Sequence, residues 1–363
     1  MAEHIPGLQL CRQFYQEVVW PILEDGFPGL IHSAGLLGSG SEVLGFDTAR
    51  SSDHHYGPRV ILFLAEPEAG DLAPQINAAL RQRLPVQFMG YSTNFSAPDP
   101  NDSGVRHAVF VDQSPVDSLI EITTVRAYFQ RQLGVDPWAE FSPVDWLVFE
   151  EQRLRSLVAG QAFHDGLGEL EPLRRKLAFY PDDIWLFLLA AEWTKIGQEE
   201  AFVGRTFEVG DEIGSRLVMA RLVHSLMRLG FLLEKQYPPY SKWFGTGFAR
   251  LACAAHLAPA LEGALAASTY PEREAYLCRA YERVARLHNQ LGITPPVEVE
   301  PSFYFGRPYK VIHGGAIAAK ILEAMGTESI RRLPCIGSVN QYLSSVDVLD
   351  NVRYCRRLRA LYA

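Results

Sequence analysis

Apolar positions in the first third of the chain recur at two different periods, which predicts both helices and strands. Residues 8–25 repeat apolar side chains at helical spacing, and Phe27-Pro28-Gly29 ends that pattern. A second helical pattern covers residues 71–84. Four short apolar runs predict strands, at 60–64, 86–89, 105–111 and 119–123. This alternation favours a mixed sheet with helices packed on it.

From about residue 125 onward the pattern is almost wholly helical. The predicted helices cover residues 125–133, 143–159, 168–179, 183–197, 199–209, 211–236, 243–258, 259–267, 271–291, 314–325 and 341–361. The longest of them, over 211–236, places on one face the apolar residues Ile213, Leu217, Ala220, Val223, Met227 and Phe231. No strand is predicted after residue 125.

These patterns predict an α/β (α+β) protein with three parts. A mixed sheet with helices occupies residues 1–125, and a large α-helical domain follows over 126–294. Pro295-Pro296 opens a linker, after which residues 295–363 form a C-terminal helical segment that we expect to pack back on the body. A length of 363 residues agrees with two or three domains.

The composition of the chain limits which binding partners and which cellular compartment we expect for the protein. Lys and Arg number 34 and Asp and Glu 42, so the net charge is −8, which argues against a wide nucleic-acid footprint. The notable apolar stretch 184–191 is too short to span a bilayer, and the first residues lack a signal-peptide pattern. The five cysteines are far apart, without a CxxC pair, which indicates reduced thiols in a cytoplasmic protein. The sequence does not indicate an oligomeric state.

One stretch carries candidate chemistry. It begins with Gly38-Ser39-Gly40-Ser41 after an apolar run, where small residues let backbone N–H groups approach an anion closely. Such a turn, where it feeds a helix, favours phosphate. Asp53 and His55 follow two residues apart, and in an extended segment both side chains leave the same face. Glu121, between Ile120 and Ile122 on a predicted strand, should face opposite to them and supplies a third candidate ligand or base.

Each of these features also has a purely structural interpretation. A Gly-Ser-rich turn is often only a loop, and Asp53-His54-His55 is compatible with a solvated turn. Pro58, close behind, limits that segment to an edge, a strand start or a bulge. Glu121 is compatible with an exposed strand residue.

The order of these motifs resembles the nucleotidyltransferase superfamily of the polymerase-beta type. Its signature is Gly-Ser after an apolar residue, then a carboxylate pair, then a third carboxylate. The corresponding positions here are Gly38-Ser39, Asp53-x-His55 and Glu121. The text from Gly38 to Asp47 resembles in particular the family called domain of unknown function 4037. That resemblance continues nearly through the chain, in the segments Tyr180-Pro181-Asp182-Asp183, residues 197–205, Tyr240-Ser241-Lys242-Trp243 and Ile336-Gly337-Ser338-Val339.

The resemblance implies transfer of a nucleoside monophosphate from a nucleoside triphosphate to an acceptor, with release of pyrophosphate. A small-molecule acceptor is favoured, and neither its identity nor the base preference follows. Phosphates would be held by Gly38, Ser39 and Ser41, and the leaving pyrophosphate would be stabilised by Arg59 and Lys242. Mg²⁺ or Mn²⁺ would be held by Asp53, His55 and Glu121, with Asp53 and Glu121 as the catalytic residues.

His55 departs from the superfamily pattern, which has a carboxylate at this position. Imidazole binds Mg²⁺ poorly, because that ion prefers oxygen ligands. Either Asp53, Glu121, water and phosphates suffice, or a softer ion such as Mn²⁺ is used, or activity is lost. The alternative function is therefore a catalytically silent nucleotide-binding protein, a sensor or assembly module. A weaker alternative is a hydrolase with a transition metal at Asp53, His54 and His55.

Lys242 carries two interpretations of its own. The Ser241-Lys242 pair resembles the segment that meets the nucleotide triphosphate in aminoglycoside adenylyltransferases, which makes Lys242 a point charge on phosphates. Alternatively, Tyr240 and Trp243 pack in the helical domain while Lys242 caps a helix end. His164-Asp165 is compatible with a general base, although a loop joining two helices is the commoner home for such a pair.

Overall fold

The computed structural model describes residues 5–50, 56–101 and 104–363, and the chain divides into two compact units. The first unit comprises residues 1–140 and 153–178, and the second comprises residues 141–152 and 179–363. The strands, in chain order, are β1 His32–Leu36, β2 Arg59–Leu64, β3 Gln87–Phe88, β4 Tyr91–Ser92, β5 Leu119–Thr123, β6 Gln161–Asp165, β7 Ser302–Phe303 and β8 Lys310–Val311.

Helices make up most of the remaining regular structure. In chain order they are α1 Gly7–Phe14, α2 Trp20–Gly26, α3 Glu66–Arg83, α4 Val125–Leu133, α5 Pro143–Val148, α6 Glu151–Ala159, α7 Leu170–Lys176, α8 Asp182–Glu199, α9 Phe202–Glu208, α10 Glu212–Leu233, α11 Ser241–Phe248, α12 Ala254–Ala266, α13 Tyr270–Leu291, α14 Gly314–Ala324, α15 Glu328–Arg331, α16 Val339–Tyr342, α17 Val346–Leu349 and α18 Val352–Arg357. A π-helical turn, Tyr15–Val19, joins α1 to α2, and a 3₁₀ segment, Leu358–Tyr362, follows α18.

A mixed sheet forms the centre of the first unit. Within the described residues its strand order is β5-β2-β1-β6, with β1 antiparallel to both β2 and β6, and β2 parallel to β5. Leu36 pairs with Gln161, and Arg59 pairs with Leu119. The last residue of β1 and the first residues of β2, β5 and β6 therefore lie at the same end of the sheet. The predicted class, a mixed sheet with helices followed by a mainly helical part, is confirmed.

The two faces of this sheet are covered differently. On one face, Val60 and Leu62 of β2 pack with apolar residues of α1, α2 and α3, and Ile120 and Ile122 of β5 join the same core. The opposite face carries α4, where the Tyr128 ring meets Phe63 edge-on at a centroid distance of 5.6 Å. Because β2 is covered on both faces, its residues form a nearly continuous apolar run.

The strand predictions have mixed outcomes. Those for 60–64 and 119–123 are confirmed, and that for 86–89 reduces to β3. The strand over 105–111 is wrong: only isolated bridges form there, at Val105 and Ala108, because Val109 and Phe110 are exposed and bury no face. The sequence pattern also failed to predict β1 and β6. Because β6 lies after residue 125, the expectation that strands stop near that residue is wrong. Polar residues interrupt both strands, and Ser33 Oγ donates across them to Asp165 Oδ1 at 2.7 Å.

Two long predicted helices are broken in the structure. Residues 143–159 split into α5 and α6, because Phe149 is extended and Glu150 Oε1 accepts the N–H of Gln152 at 2.9 Å, starting a new helix. Residues 341–361 form several short elements instead of one helix. Here the Asn351 side chain accepts the N–H groups of Arg353 and Tyr354, which begins α18.

The apolar stripe predicted for α10 is correct only in its C-terminal half. Val223 and Phe231 are buried, whereas Ile213 is 75% exposed and Leu217 58% exposed. The buried stripe of the N-terminal half is turned by one residue, to Ser215, Val218, Met219 and Leu222. Ser215 Oγ donates to the Val203 carbonyl at 3.0 Å, so this small residue brings α9 close and fixes the rotation of α10.

A buried ionic network holds the second unit together. Arg228 Nη2 on α10 donates to both carboxylate oxygens of Glu151, at 2.8 and 2.9 Å, and its Nε donates to Glu192 Oε2 at 3.3 Å. All three side chains are at most 5% exposed. Gln341 Nε2 also donates to Glu192 Oε2, at 2.7 Å, and thereby fastens α16 to α8. Removing one of these buried charges would leave the others unpaired, which would strongly destabilise the fold.

We predict that Arg228→Met lowers the free energy of unfolding by about 3–5 kcal/mol, because Glu151 and Glu192 then stay buried without a cation. Urea denaturation measures this change. The matched control is Arg221→Met on the same helix, whose pair with Glu199 is half exposed. That control should change the free energy by about 1 kcal/mol or less. Equal losses in the two variants would contradict the assigned importance of the network.

Candidate functional site

The Gly38–Ser41 turn begins two residues after β1, at the sheet edge where β2, β5 and β6 start. The Gly38 N–H donates to the Ser156 carbonyl at 3.0 Å, which anchors the start of the turn. Gly38 and Gly40 have φ values of +86° and +134°, a region that favours glycine. No helix begins at this turn in the described chain, because residues 41–45 form consecutive turns. The close approach of backbone to a ligand therefore depends on the turn alone.

Several hydrogen-bond donors of this turn are unused. The backbone N–H groups of Ser39, Gly40 and Ser41 donate to no described residue, and neither do the two serine hydroxyls. Ser39 is exposed and Ser41 half-buried, so both are accessible to a ligand. Successive N–H groups at a turn with left-handed residues make a concavity that suits an anion.

Arg59, the first residue of β2, lies directly beside this turn. Its Nη2 donates to the Ser39 carbonyl at 2.7 Å and forms an ion pair with Glu42. A Cβ at Gly40 would overlap both the Arg59 guanidinium and the Glu42 carboxylate, so only glycine leaves room for the pair. The Arg59–Glu42 ion pair thus stabilises the conformation of the turn. Arg59 lies beside the turn, as expected of a phosphate ligand, but its guanidinium is already paired with the Glu42 carboxylate.

Glu121 lies on the other side of β2, in the middle of β5, paired in register with Ile61. Ile120 and Ile122 pack into the apolar core, so Glu121 projects from the opposite face, which confirms the predicted orientation. Its carboxylate accepts from Arg131 Nη2 at 2.5 Å and is 41% exposed. Glu121 is accessible to a ligand, but a ligand or metal ion would have to compete with this guanidinium.

Tyr128, on α4, links the turn to the Glu121 side of the sheet. A Cβ at Gly38 would lie 2.5 Å from the Tyr128 hydroxyl, so the hydroxyl sits against the turn. Burial, and secondly the negative charge of Glu121, raise the pKa of Tyr128.

The sequence analysis predicted a functional role for neither Tyr128 nor Glu42. Tyr128 gave no signal, because it belongs to an ordinary apolar stripe, whereas Glu42 stands between the serine turn and Val43 as a lone charge.

Of the remaining predicted site residues, Asp53 and His55, with His54, lie outside the described residues. Lys242 is exposed in the second unit, at the second position of α11, with its Nζ 5.2 Å from the centre of the Trp243 ring. Its role on phosphates stays a prediction. His164 and Asp165 lie on β6 and not in a loop between helices.

The described part of the chain contains no cluster of three or more His, Cys, Asp or Glu side chains that would hold a metal ion. Glu121 supplies the hard oxygen that Mg²⁺ prefers, and the other two predicted ligands fall outside the described residues.

Among the described helices, none has the length and apolarity needed to cross a bilayer.

Comparison with known proteins supports the predicted family resemblance. Residues 146–244 match the family described as "Domain of unknown function (DUF4037)". This match confirms the resemblance; it includes the motifs at 180–183, 197–205 and 240–243, and it leaves the Gly38–Ser41 turn and residues 336–339 outside. A search of the curated proteins gave no match.

Among solved structures, the chain is similar to a nucleotidyltransferase-like protein from Exiguobacterium sibiricum 255-15. The two sequences are 12% identical, and the alignment covers 78% of this chain and 74% of that chain, with a TM-score of 0.32.

We predict that Gly38→Ala destabilises the protein more than Gly29→Ala. Both glycines have a similar positive φ, +86° and +81°, but a Cβ at Gly29 meets no atom within 4 Å. Gly29→Ala should cost about 1–2 kcal/mol for backbone conformation. Gly38→Ala should cost about 1–3 kcal/mol more, for the overlap with Tyr128. Thermal unfolding measures both, and Gly38→Ala combined with Tyr128→Phe should recover part of the difference. Equal losses would show that the hydroxyl does not press on the turn.

Proposed function

We propose that the protein binds a nucleoside triphosphate at the Gly38–Ser41 turn and transfers its nucleoside monophosphate to an acceptor hydroxyl, releasing pyrophosphate. The observation that carries this proposal is the set of unused donors at the turn. Three successive N–H groups and two hydroxyls donate to no residue that the structure describes, where β1 ends in the mixed sheet and beside the half-buried Arg59. Polyphosphate is the ligand whose oxygens suit such a set best.

Each described residue then has a defined part. The amides of Ser39, Gly40 and Ser41 and the serine hydroxyls hold phosphate oxygens. Arg59 keeps the turn in shape and places positive charge near the pyrophosphate that leaves. Glu121 either completes the shell of a divalent ion or takes the proton of the acceptor hydroxyl.

Asp53 and Glu121, with or without His55, would hold the divalent ion of this proposal, Mg²⁺ or Mn²⁺. Such an ion would supply positive charge opposite the charge that develops on the α-phosphate. We propose a small molecule as the acceptor, because a net charge of −8 disfavours a nucleic-acid partner. The five free cysteines suit a reducing compartment, and we therefore propose that the protein acts in the cytoplasm.

A second candidate function is nucleotide binding without catalysis. Two observations favour it: His55 stands where the superfamily pattern has a carboxylate, and Glu121 forms an ion pair with Arg131. A protein of this kind would bind nucleotide at the same turn and act as a sensor or an assembly module.

The first test of the proposal is binding. Isothermal titration with ATP, GTP, CTP and UTP, each with Mg²⁺ or Mn²⁺, should show binding of at least one nucleotide. Both candidate functions require this result. If none of the four binds with either metal, both are contradicted.

The second test separates the two functions by measuring pyrophosphate release. Asp53→Asn should lower the rate at least ~100-fold, since loss of a metal ligand removes several kcal/mol of transition-state stabilisation. His55→Asp should retain or increase the rate with Mg²⁺, because it adds a hard oxygen ligand. Asp71→Asn, an exposed position of α3, is the control and should leave the rate unchanged. Nucleotide binding without any turnover would favour the silent function, and equal rates for wild type and Asp53→Asn would remove Asp53 from the mechanism.

A further inference from the structure

We infer that the Tyr128 hydroxyl donates a hydrogen bond to the polyphosphate chain bound at the Gly38–Ser41 turn. This inference rests on the proposed function and adds to it a binding residue from α4 that no sequence motif contains. It follows from the fixed position of the ring, the lack of a partner for the hydroxyl, and the charges around it.

The Tyr128 ring is held rigidly. It is 2% exposed and packs edge-on against Phe63, at 5.6 Å between centroids, and against Phe129, at 5.7 Å. The Arg131 guanidinium covers the ring at 5.2 Å from its centre. Because these neighbours fix both side-chain torsions, the hydroxyl has essentially one position, which is against the backbone of Gly38.

At that position the hydroxyl makes no hydrogen bond to any described residue. Phenylalanine would make the same ring contacts, so the packing of the ring does not explain the hydroxyl. A tyrosine here is explained if a ligand supplies the acceptor, and the adjoining turn is where the proposed function places phosphate oxygens.

The surrounding charges favour an anionic acceptor. Tyr128 interacts electrostatically with Glu121 and with three guanidinium groups, those of Arg131, Arg59 and Arg153. Burial, followed by the Glu121 charge, raises the pKa of Tyr128, so the hydroxyl keeps its proton at neutral pH and acts as a donor. A hydrogen bond from such a donor to a charged oxygen is stronger than one to a neutral oxygen.

The test uses Tyr128→Phe, which removes only the hydroxyl oxygen and keeps the ring contacts. Isothermal titration of the full chain with each of the four nucleoside triphosphates, and with inorganic pyrophosphate, should show affinity lower by ~10-fold or more. Thermal unfolding without ligand should show an unchanged Tm, since the variant keeps the ring contacts and loses no hydrogen bond to a described residue. A residue with a purely structural role would give the opposite pair of results.

The matched control is Tyr15→Phe, in the same unit. The Tyr15 hydroxyl lies 2.9 Å from His32 Nε2, at the other end of β1, so its loss should lower Tm and leave nucleotide affinity unchanged. Equal affinities of wild type and Tyr128→Phe would overturn the inference and leave the proposed function intact. Weaker binding of nucleotide alone, with pyrophosphate unaffected, would also overturn it, because the hydroxyl would then contact the nucleoside. Wild type that binds none of these ligands contradicts the proposed function itself, and the inference with it.

Discussion

Where the chain leaves β1, three side chains lie against the backbone of the following turn, two of them from distant positions in the sequence. Tyr128 reaches Gly38 from α4, and Arg59 with Glu42 reaches Gly40 from β2 and from the turn itself. Neither approach is sterically compatible with a Cβ, so both glycines are fixed by packing as well as by their φ angles. The rest of the candidate site depends on this constraint, because it shapes a turn whose three N–H groups donate to no described residue and which no helix follows directly.

The sequence predicted the parts of this arrangement that produce a local signal. Alternation of period two and continuous apolar runs identified β2 and β5, and the position of Glu121 between two isoleucines gave its orientation correctly. The serine turn was recognised from its small residues. In contrast, β1 and β6 escaped notice because Ser33, Gly35, Gln161 and His164 interrupt the apolar pattern, and only pairing with a neighbour makes such segments strands.

Tertiary contacts decided what the sequence could not. Tyr128 looks like any core residue of an amphipathic helix until the Gly38 backbone is placed against its hydroxyl. The α10 stripe failed for a similar reason: Ile213 and Leu217 have the right spacing, yet the small Ser215 lets α9 approach and turns the helix. Periodicity gives the spacing of a buried face, whereas the size of neighbouring residues sets its rotation.

The family match and the candidate turn fall on different stretches of the chain, and the buried ionic network lies within the matched stretch. Glu151, Glu192 and Arg228 all lie within residues 146–244, where a change of any one charge would leave others unpaired. The motif at 336–339 lies outside the matched range, but it serves the same network. Ser338 Oγ stands 3.5 Å from Glu151 Oε1 and forms a capping box with Gln341.

The sheet of the first unit is completed by a strand that is synthesised only after part of the second unit. β1 is paired on one side with β2 and on the other with β6, which is separated from β5 by residues of the second unit. Until residue 165 has left the ribosome, one side of β1 presents free N–H and C=O groups, a template for pairing with another chain. Nascent chains halted in this interval, and fragments cut at residue 140, would therefore carry an open sheet edge. Residues 1–140 therefore do not form an independent folding unit before β6 has paired with β1. Shortened forms that end before β6 should need chaperones or aggregate when they are expressed.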